Sequence, residues 1–346
     1  MVESYETPNA GIKFMSPLTP AHLQQRFAAM QGKRIAVIGD YMLDRYFWGT
    51  VTRISPEAPV PIVEIERETD QLGGAANVAN NLAALGLEAY PIGVVGEDAT
   101  GVRLVSLMRE NGFKSGGIFV DPARPTTIKT RVIAHDQHVV RTDRESRADL
   151  SAPLQESILR YLQELMPSLA GLIIEDYNKG MIAQPLLLRL IQLAKAHDCP
   201  VTVDPKFNHF FDYHGVTVFK PNRKETEAVL GMKLQTPEEI KHAGEQLLQK
   251  LEAQNILITL GAQGMALFEK NGRVHRIPTR ALRVHDVSGA GDTVIATLTA
   301  AMAAGADIVE AATLANYAAG VVVGEVGAVP IDKQKLIAAI AEDQQW

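Results

Sequence analysis

Several things are scarce in this chain, and each shortage removes a class of protein. It holds one cysteine, Cys199, so it forms no disulfide within itself and no multi-cysteine metal centre. That thiol precedes a strand-like apolar run and reads as a buried structural group. No apolar stretch reaches the roughly 18 residues needed to span a bilayer. Residues 1–20 carry Glu3, Glu6 and three prolines, with neither a basic start nor an apolar run. That is not a signal peptide, and it reads as a mobile tail ahead of the fold. Neither charge dominates: 34 Lys and Arg against 40 Asp and Glu leave a net charge of −6, with no basic block. Nonspecific nucleic-acid or membrane binding is therefore not expected, and a cytoplasmic protein is. No internal repeat, low-complexity stretch or Pro/Gly-rich linker divides the sequence.

What is present is ordinary globular material. The chain has 346 residues, 46% apolar and 21% charged, which excludes a disordered polymer. At about 150 residues per domain the length suggests two domains, but the pattern argues for one. Residues 34–40 (RIAVIGD) read as a buried strand ending in Gly-Asp, with a turn between Asp40 and Asp44. From 171 onward strands and helices alternate: strands at 171–175, 201–204, 216–219 and 256–260, and helices at 185–197, 224–230 and 237–251. Short strands at 265–269 and 274–277 and Ala-rich helices at 291–304 and 308–323 follow. A strand at 90–95 between helices at 74–86 and 101–111 belongs to the same rhythm. Such alternation predicts an α/β fold with a mostly parallel sheet covered on both faces. Two regions break it. Residues 46–68 alternate without a helical period, and 126–134 with 138–142 read as a hairpin turning at 135–137. These predict a small β-lid from 46–68 and 126–143. The organisation expected is a tail and lead-in helix over 1–32 and one domain over 33–340.

Ligands on such sheets bind beyond the C-terminal ends of the strands. The sharpest motif is DVSGAGDT at 286–293, running straight into a helix. Gly289 and Gly291 let the backbone turn tightly, and the N–H groups of a helix start favour an anion. Gly289, Ala290 and Gly291 are thus a candidate anion hole for a phosphoryl group. A carboxylate would repel that phosphate, so Asp292 makes sense as a base taking a proton from an attacking hydroxyl. The bland alternative is a glycine-rich cap with an ordinary first-turn acid. LGGAAN at 72–77 opens a helix, and Asn77 offers both a donor and an acceptor to a sugar hydroxyl. KPNRKE at 220–225 joins a strand to a helix. Its amide and carboxylate suit Mg²⁺ held through water, or Glu225 is a capping partner. TLGAQG at 259–264 contains a turn that lets backbone pass close to a nucleotide. HDQH at 135–138 has a metal-like spacing without further ligands and reads as a solvated turn. The aromatic run at 46–48 reads as packing within the lid.

Taken together, LGGAAN, KPNRKE, TLGAQG and DVSGAGDT, in that order, resemble the ribokinase-like (PfkB) family of carbohydrate kinases over about residues 33–330. No Walker A pattern occurs, consistent with that family's different phosphate cradle. The resemblance implies an αβα sandwich with a β-lid, ATP and Mg²⁺ as cofactors, and a homodimer formed through the lid. It implies Asp292 as catalytic base, with Asn222, Lys224, Glu225, Thr259, Gly261 and Gly264 serving ATP and Mg²⁺, the metal reached from Glu225 through water. It implies Asp44, Gly74, Asn77 and Glu175 as sugar ligands, and Asp286 and Ser288 near a monovalent cation such as K⁺. Val287 stands where many members have Thr. Met42 stands where ribose-specific members carry Asn, which argues against ribose. Residues 39–65, EDYNKG at 175–180 and VDPK at 203–206 are similar to the members that phosphorylate D-glycero-D-manno-heptose 7-phosphate at C1, on the route to ADP-heptose and lipopolysaccharide core. Many of those are fused to a nucleotidyltransferase, and this chain would be a stand-alone form. Arg131, Arg141 and Lys206 are candidates for the substrate's phosphate, because cationic side chains match phosphate oxygens. The open alternatives are a kinase for another sugar, sugar phosphate or nucleoside, and a silent sugar-binding regulator.

Overall fold

The computed structural model describes residues 18–135, 137–280, 284–325 and 327–343. Residues 1–17 of the expected tail and Asp136 of the expected turn lie outside these residues. In chain order the elements are α1 (Pro20–Met30), β1 (Arg34–Gly39), β2 (Tyr41–Ile54), β3 (Pro61–Gly74), α2 (Ala75–Ala84), β4 (Glu88–Gly96), α3 (Ala99–Glu110) and β5 (Ile118–Asp121). Then come β6 (Thr127–Ala134), β7 (Gln137–Arg144), α4 (Ala152–Leu165), β8 (Gly171–Glu175), α5 (Gln184–Ala196), β9 (Val201–Asp204), β10 (Val218–Phe219), α6 (Arg223–Leu230) and α7 (Pro237–Leu251). The chain closes with β11 (Asn255–Thr259), β12 (Met265–Glu269), β13 (Val274–Ile277), α8 (Ala290–Ala303), α9 (Ile308–Val322) and α10 (Lys333–Asp343).

The main sheet has nine strands in the order β13-β12-β11-β10-β9-β8-β1-β4-β5. It is parallel from β11 to β5, with β12 and β13 antiparallel at one edge. Its central strands are apolar throughout because both faces are covered. Side chains alternate across the sheet, so β1 sends Ile35 and Val37 into one core and Ala36 and Ile38 into the other. The first core collects α1, α2, α3, α8, α9 and α10, and the second α4, α5 and α7. This is the expected αβα sandwich. Helix starts follow local chemistry: α7 opens on a Thr236–Glu239 capping box with Pro237 in its first turn, satisfying N–H groups that lack intrahelical partners.

The lid is a separate four-stranded sheet, β3-β2-β6-β7. Both hairpins are antiparallel, but they join through a parallel pairing of β2 with β6. The strands β2 and β3 are longer than the alternation at 46–68 predicts. The turn expected between Asp40 and Asp44 is absent, because β2 begins at Tyr41 directly after Asp40. At its root, residues 41–44 are all buried, so no polar alternation marks the strand there. Three elements had no counterpart in the sequence reading: β5, α4 and α10. Among the described residues, no helix is long and apolar enough to cross a membrane.

Candidate active site

The C-terminal ends of β1, β8, β9, β10 and β11 lie side by side in the sheet. They deliver Asp40, Glu175, Asp204, Lys220 and Thr259 to one edge. Helix α8 points its N-terminus at the same edge, entered through Gly289 at φ 75°. A side chain there would be strained in the left-handed region, and a Cβ would lie 2.7 Å from Asn77 Nδ2.

Asp292, in the first turn of α8, is 3% exposed. Its Oδ2 accepts a hydrogen bond from Asn77 Nδ2 and its Oδ1 accepts one from the Tyr177 hydroxyl, both at 2.8 Å. Burial pushes its carboxyl up to about 6, against the pull of these two donors. Glu175 and Asp204 are also buried, and the three residues bring carboxylate oxygens within 4.8 Å of one another. One positive charge enters directly: Lys220 Nζ lies 2.6 Å from Asp204 Oδ2. Burial, then the neighbouring Asp204 and Asp292, hold the Glu175 carboxyl well above its usual range, and its Oε2 has no hydrogen-bond partner.

The nucleotide motifs gather at the glycine turn that precedes Asp292. A cavity of about 350 Å³ is lined by Thr259 at the end of β11 and Gly261 and Gly264 beyond it, by Val287, Ala290 and Gly291 before and within α8, and by Asn316 and Gly320 of α9. Five residues expected for ATP or for the anion hole, Thr259, Gly261, Gly264, Ala290 and Gly291, therefore share two walls of one space. Asn222 and Glu225 form the capping box of α6, Asn222 N donating to Glu225 Oε2 at 2.8 Å and Glu225 N to Asn222 Oδ1 at 2.9 Å. The other Glu225 oxygen accepts from Lys206 Nζ. Lys224 is exposed on α6 and outside the cavity lining. Asp286 pins the approach to α8, its Oδ1 accepting from Ser288 N at 2.9 Å and its Oδ2 from Gly327 N at 3.0 Å.

The sugar and phosphate candidates divide. Asn77 and Glu175 stand in the Asp292 cluster. Gly74, at φ 56°, caps α2 three residues from Asn77, where a Cβ would meet Asp40 O at 2.5 Å. Asp44 is buried on the lid strand β2, 2.7 Å from Arg131 Nη1, and the Arg131 guanidinium lies 5.2 Å from the Tyr46 ring centroid. Arg141 is the cross-strand partner of Arg131, exposed and paired with Asp143. Lys206 is not brought together with the arginines: it joins Glu225 and sits 5.1 Å from the Tyr177 ring centroid. Burial pulls its ammonium down, but Asp204 and Glu225 outweigh it and keep it charged. His135 Nε2 lies 3.3 Å from Val51 N and 3.4 Å from Val51 O, and Tyr46 stacks on Trp48 at 5.9 Å within the lid.

Sequence reasoning gave no role to Asp40, Tyr177, Asp204 or Lys220. Their signal was position, since each stands at or just beyond the end of a parallel strand. Asp40 is buried, and its carboxylate accepts from the backbone N–H groups of Tyr177, Lys179 and Met181. Burial, with Asp176 nearby, raises it to about 7 despite those donors.

The family model described as "pfkB family carbohydrate kinase" matches residues 33–334. A relative from Paramagnetospirillum magneticum, named "Bifunctional protein HldE", is 43% identical over 318 residues, covering 92% of this chain and 65% of its own length. The chain thus spans slightly under two thirds of that curated relative. Among solved structures, the tetrameric inhibited form of phosphofructokinase-2 from Escherichia coli matches with a TM-score of 0.73 at 20% identity, over 90% of this chain and 100% of that one. Ribokinase from Arabidopsis thaliana, complexed with ribose and ATP, matches with a TM-score of 0.70 at 20% identity, over 90% and 99%.

Proposed function

This chain belongs to the PfkB family of carbohydrate kinases and is a phosphotransferase with a sugar acceptor; we propose that it transfers the γ-phosphoryl group of ATP to the C1 hydroxyl of D-glycero-D-manno-heptose 7-phosphate. The observation that carries the reading is Asp292. It is a buried carboxylate at the start of α8, with the glycine loop and the 350 Å³ cavity on one side and Asn77 and Glu175 on the other. A base near pH 6 is ionised at neutral pH and still basic enough to take a proton. Asp292 takes the proton of the acceptor hydroxyl as that oxygen attacks the γ-phosphorus. The N–H groups of Gly289, Ala290 and Gly291 meet charge developing on the transferred group, and such positioning and electrostatics make up most of what a protein contributes to phosphoryl transfer. Thr259, Gly261 and Gly264 hold the nucleotide in the cavity.

The residues present fit magnesium. Glu225 and Asn222 are hard oxygen donors, and a metal that retains its water needs few protein ligands. Asn222 and Glu225 would hold it through water, and it would screen the phosphate charge. Potassium near Asp286 and Ser288 belongs to the same reading, as does pairing of two chains through the lid, where Ile54, Val60, Ile65 and Val140 are exposed. A cytoplasmic location, where ATP is made, also belongs to it.

The heptose assignment rests on the segments 39–65, 175–180 and 203–206 and on Met42 in place of a ribose-binding amide. Arg131, paired with Asp44 on the lid, suits the remote phosphate, with Arg141 as its cross-strand partner. Lys206 sits with Glu225 and suits the nucleotide's phosphates instead. A remote phosphate handle orients the reacting end, so its loss depresses kcat/KM. The test compares kcat/KM for heptose 7-phosphate, heptose, fructose 6-phosphate and ribose with ATP and Mg²⁺, the product's phosphorylation site read by NMR. Heptose 7-phosphate is expected to lead. Better turnover of ribose or fructose 6-phosphate overturns the heptose assignment and leaves the kinase class standing.

A further inference from the structure

The loop after β8 is fixed far more firmly than a surface connection requires. Asp176 N continues the sheet to Asp204 O at 3.0 Å. The Asp176 carboxylate accepts from Asn178 N at 2.7 Å and from the Tyr213 hydroxyl at 2.8 Å. Asp40 takes three further backbone N–H groups, from Tyr177 at 2.7 Å, Lys179 at 3.1 Å and Met181 at 3.3 Å. Asn178 is held at φ 56°, a conformation that costs a non-glycine residue energy and persists only where surroundings over-determine it. Two buried acids thus accept from four backbone N–H groups between Tyr177 and Met181. The side chain this loop projects is Tyr177, whose hydroxyl meets Asp292 Oδ1 at 2.8 Å. The far face of its ring carries the Lys206 ammonium, 5.1 Å from the centroid, a distance at which a cation is attracted to the ring. Lys206 in turn holds Glu225 at the start of α6.

We propose that Tyr177 is the positioning residue of the base: its hydroxyl fixes the Asp292 carboxylate against Asn77 and keeps it ionised, while Lys206 ties the ring to the nucleotide end of the site. Tyr177 touches the base and acts through it. A carboxylate that accepts donors is favoured in its charged form, and two donors on opposite oxygens also set its plane. The inference rests on the reading of Asp292 as base. The groups facing Asp292 are Asn77 from α2, Glu175 from β8, Tyr177 from the following loop, Asp204 from β9 and Lys220 after β10, with Lys206 behind the tyrosine ring.

Tyr177→Phe removes one hydroxyl and leaves the ring under Lys206. The experiment measures steady-state kinetics of the full chain with ATP, Mg²⁺ and the best acceptor of the sugar panel across pH 5–9, beside a thermal melt. The expected result is a folded protein with both KM values within about twofold of wild type and kcat lowered roughly tenfold, as for one hydrogen bond to a charged group. The acid limb of kcat/KM should also move up by about one pH unit, because the charged form has lost a donor. A wild-type kcat with an unmoved acid limb overturns the proposal. A second measurement guards against a general loss of structure: in the Asp292→Asn background, Tyr177→Phe should add almost nothing, since the two act through one group. An equal loss in both backgrounds also overturns it. Should Asp292→Asn itself turn over like wild type, the base assignment fails and the inference with it. Should Asp292→Asn be inactive while Tyr177→Phe is unaffected, the inference alone fails.

Discussion

Asp292→Asn separates charge from shape at the reacting centre, and it should make the protein both slower and more stable. The shape survives because the hydrogen bonds can reverse. Asn77 Nδ2 and the Tyr177 hydroxyl both donate to the carboxylate at 2.8 Å. An amide in its place keeps an oxygen for Asn77 and turns its NH₂ to the tyrosine oxygen, whose hydroxyl rotates to suit. Turnover then loses general-base assistance, a factor of about 10²–10⁴. Stability moves the other way. Burial lifts the carboxyl from 3.8 to about 6, so the folded protein binds that proton more tightly than the unfolded chain. At about 1.4 kcal/mol per pH unit, keeping Asp292 ionised costs the native state about 3 kcal/mol. Because the folded value is the higher one, this group's contribution is favourable below about pH 4 and is lost as pH rises through about 6. The asparagine variant carries no such penalty. Urea unfolding should therefore find it more stable by up to about 3 kcal/mol at pH 8, with a gap that narrows by pH 5. A gap independent of pH would refute the claim that buried charge is the cost. Undiminished kcat in the folded variant would remove Asp292 from the role of base.

Glu225→Gln keeps the α6 cap, since glutamine also serves at that position, but removes the charge facing Lys206. The Mg²⁺ concentration for half-maximal rate should rise roughly tenfold, the worth of one charge-assisted contact, with sugar KM unchanged; an unshifted Mg²⁺ titration counts against the assignment. Gly289→Ala places a Cβ 2.7 Å from Asn77 Nδ2 at φ 75°. The left-handed backbone alone costs about 1–2 kcal/mol, so Tm should fall by a few degrees and kcat should drop as Asn77 is pushed from Asp292. An alanine variant that melts and turns over like wild type would show that the loop has room to spare.

The parts of the architecture legible in the sequence were those whose periodicity survives burial. Strands 171–175, 201–204, 265–269 and 274–277 and helix 237–251 fall where the pattern put them, because short apolar runs between caps and turns admit few other readings. The root of β2 did not reveal itself, since residues 41–44 are buried and show no alternation. The edge strand β5 is only four residues long, and α10 is nearly neutral in hydropathy. At the site the glycine motifs were visible because each needs an unusual backbone. Gly74 and Gly289 both have positive φ, and each has another residue's atoms where its Cβ would be. Tyr177 was not visible, because nothing in EDYNKG says which atom lies opposite its hydroxyl. Lys206 was legible as a basic residue at a strand end, but its pairing with Glu225 depends on β9 and β10 being neighbours.

The lid has its fulcrum at the reacting centre. Both of its long strands are rooted at one point: β2 leaves the main sheet directly after Asp40, and β3 returns at Gly74, where Ala75 N bonds Asp40 O at 3.1 Å. Three residues beyond Gly74 stands Asn77, bonded to Asp292, while Asp40 itself grips the loop that carries Tyr177. Both donors on the base are therefore tethered to the root from which the lid extends. From that root β2 runs on to Ile54, fourteen residues out from Asp40, so a load on the tip of the lid would be carried back to the residues that position the base.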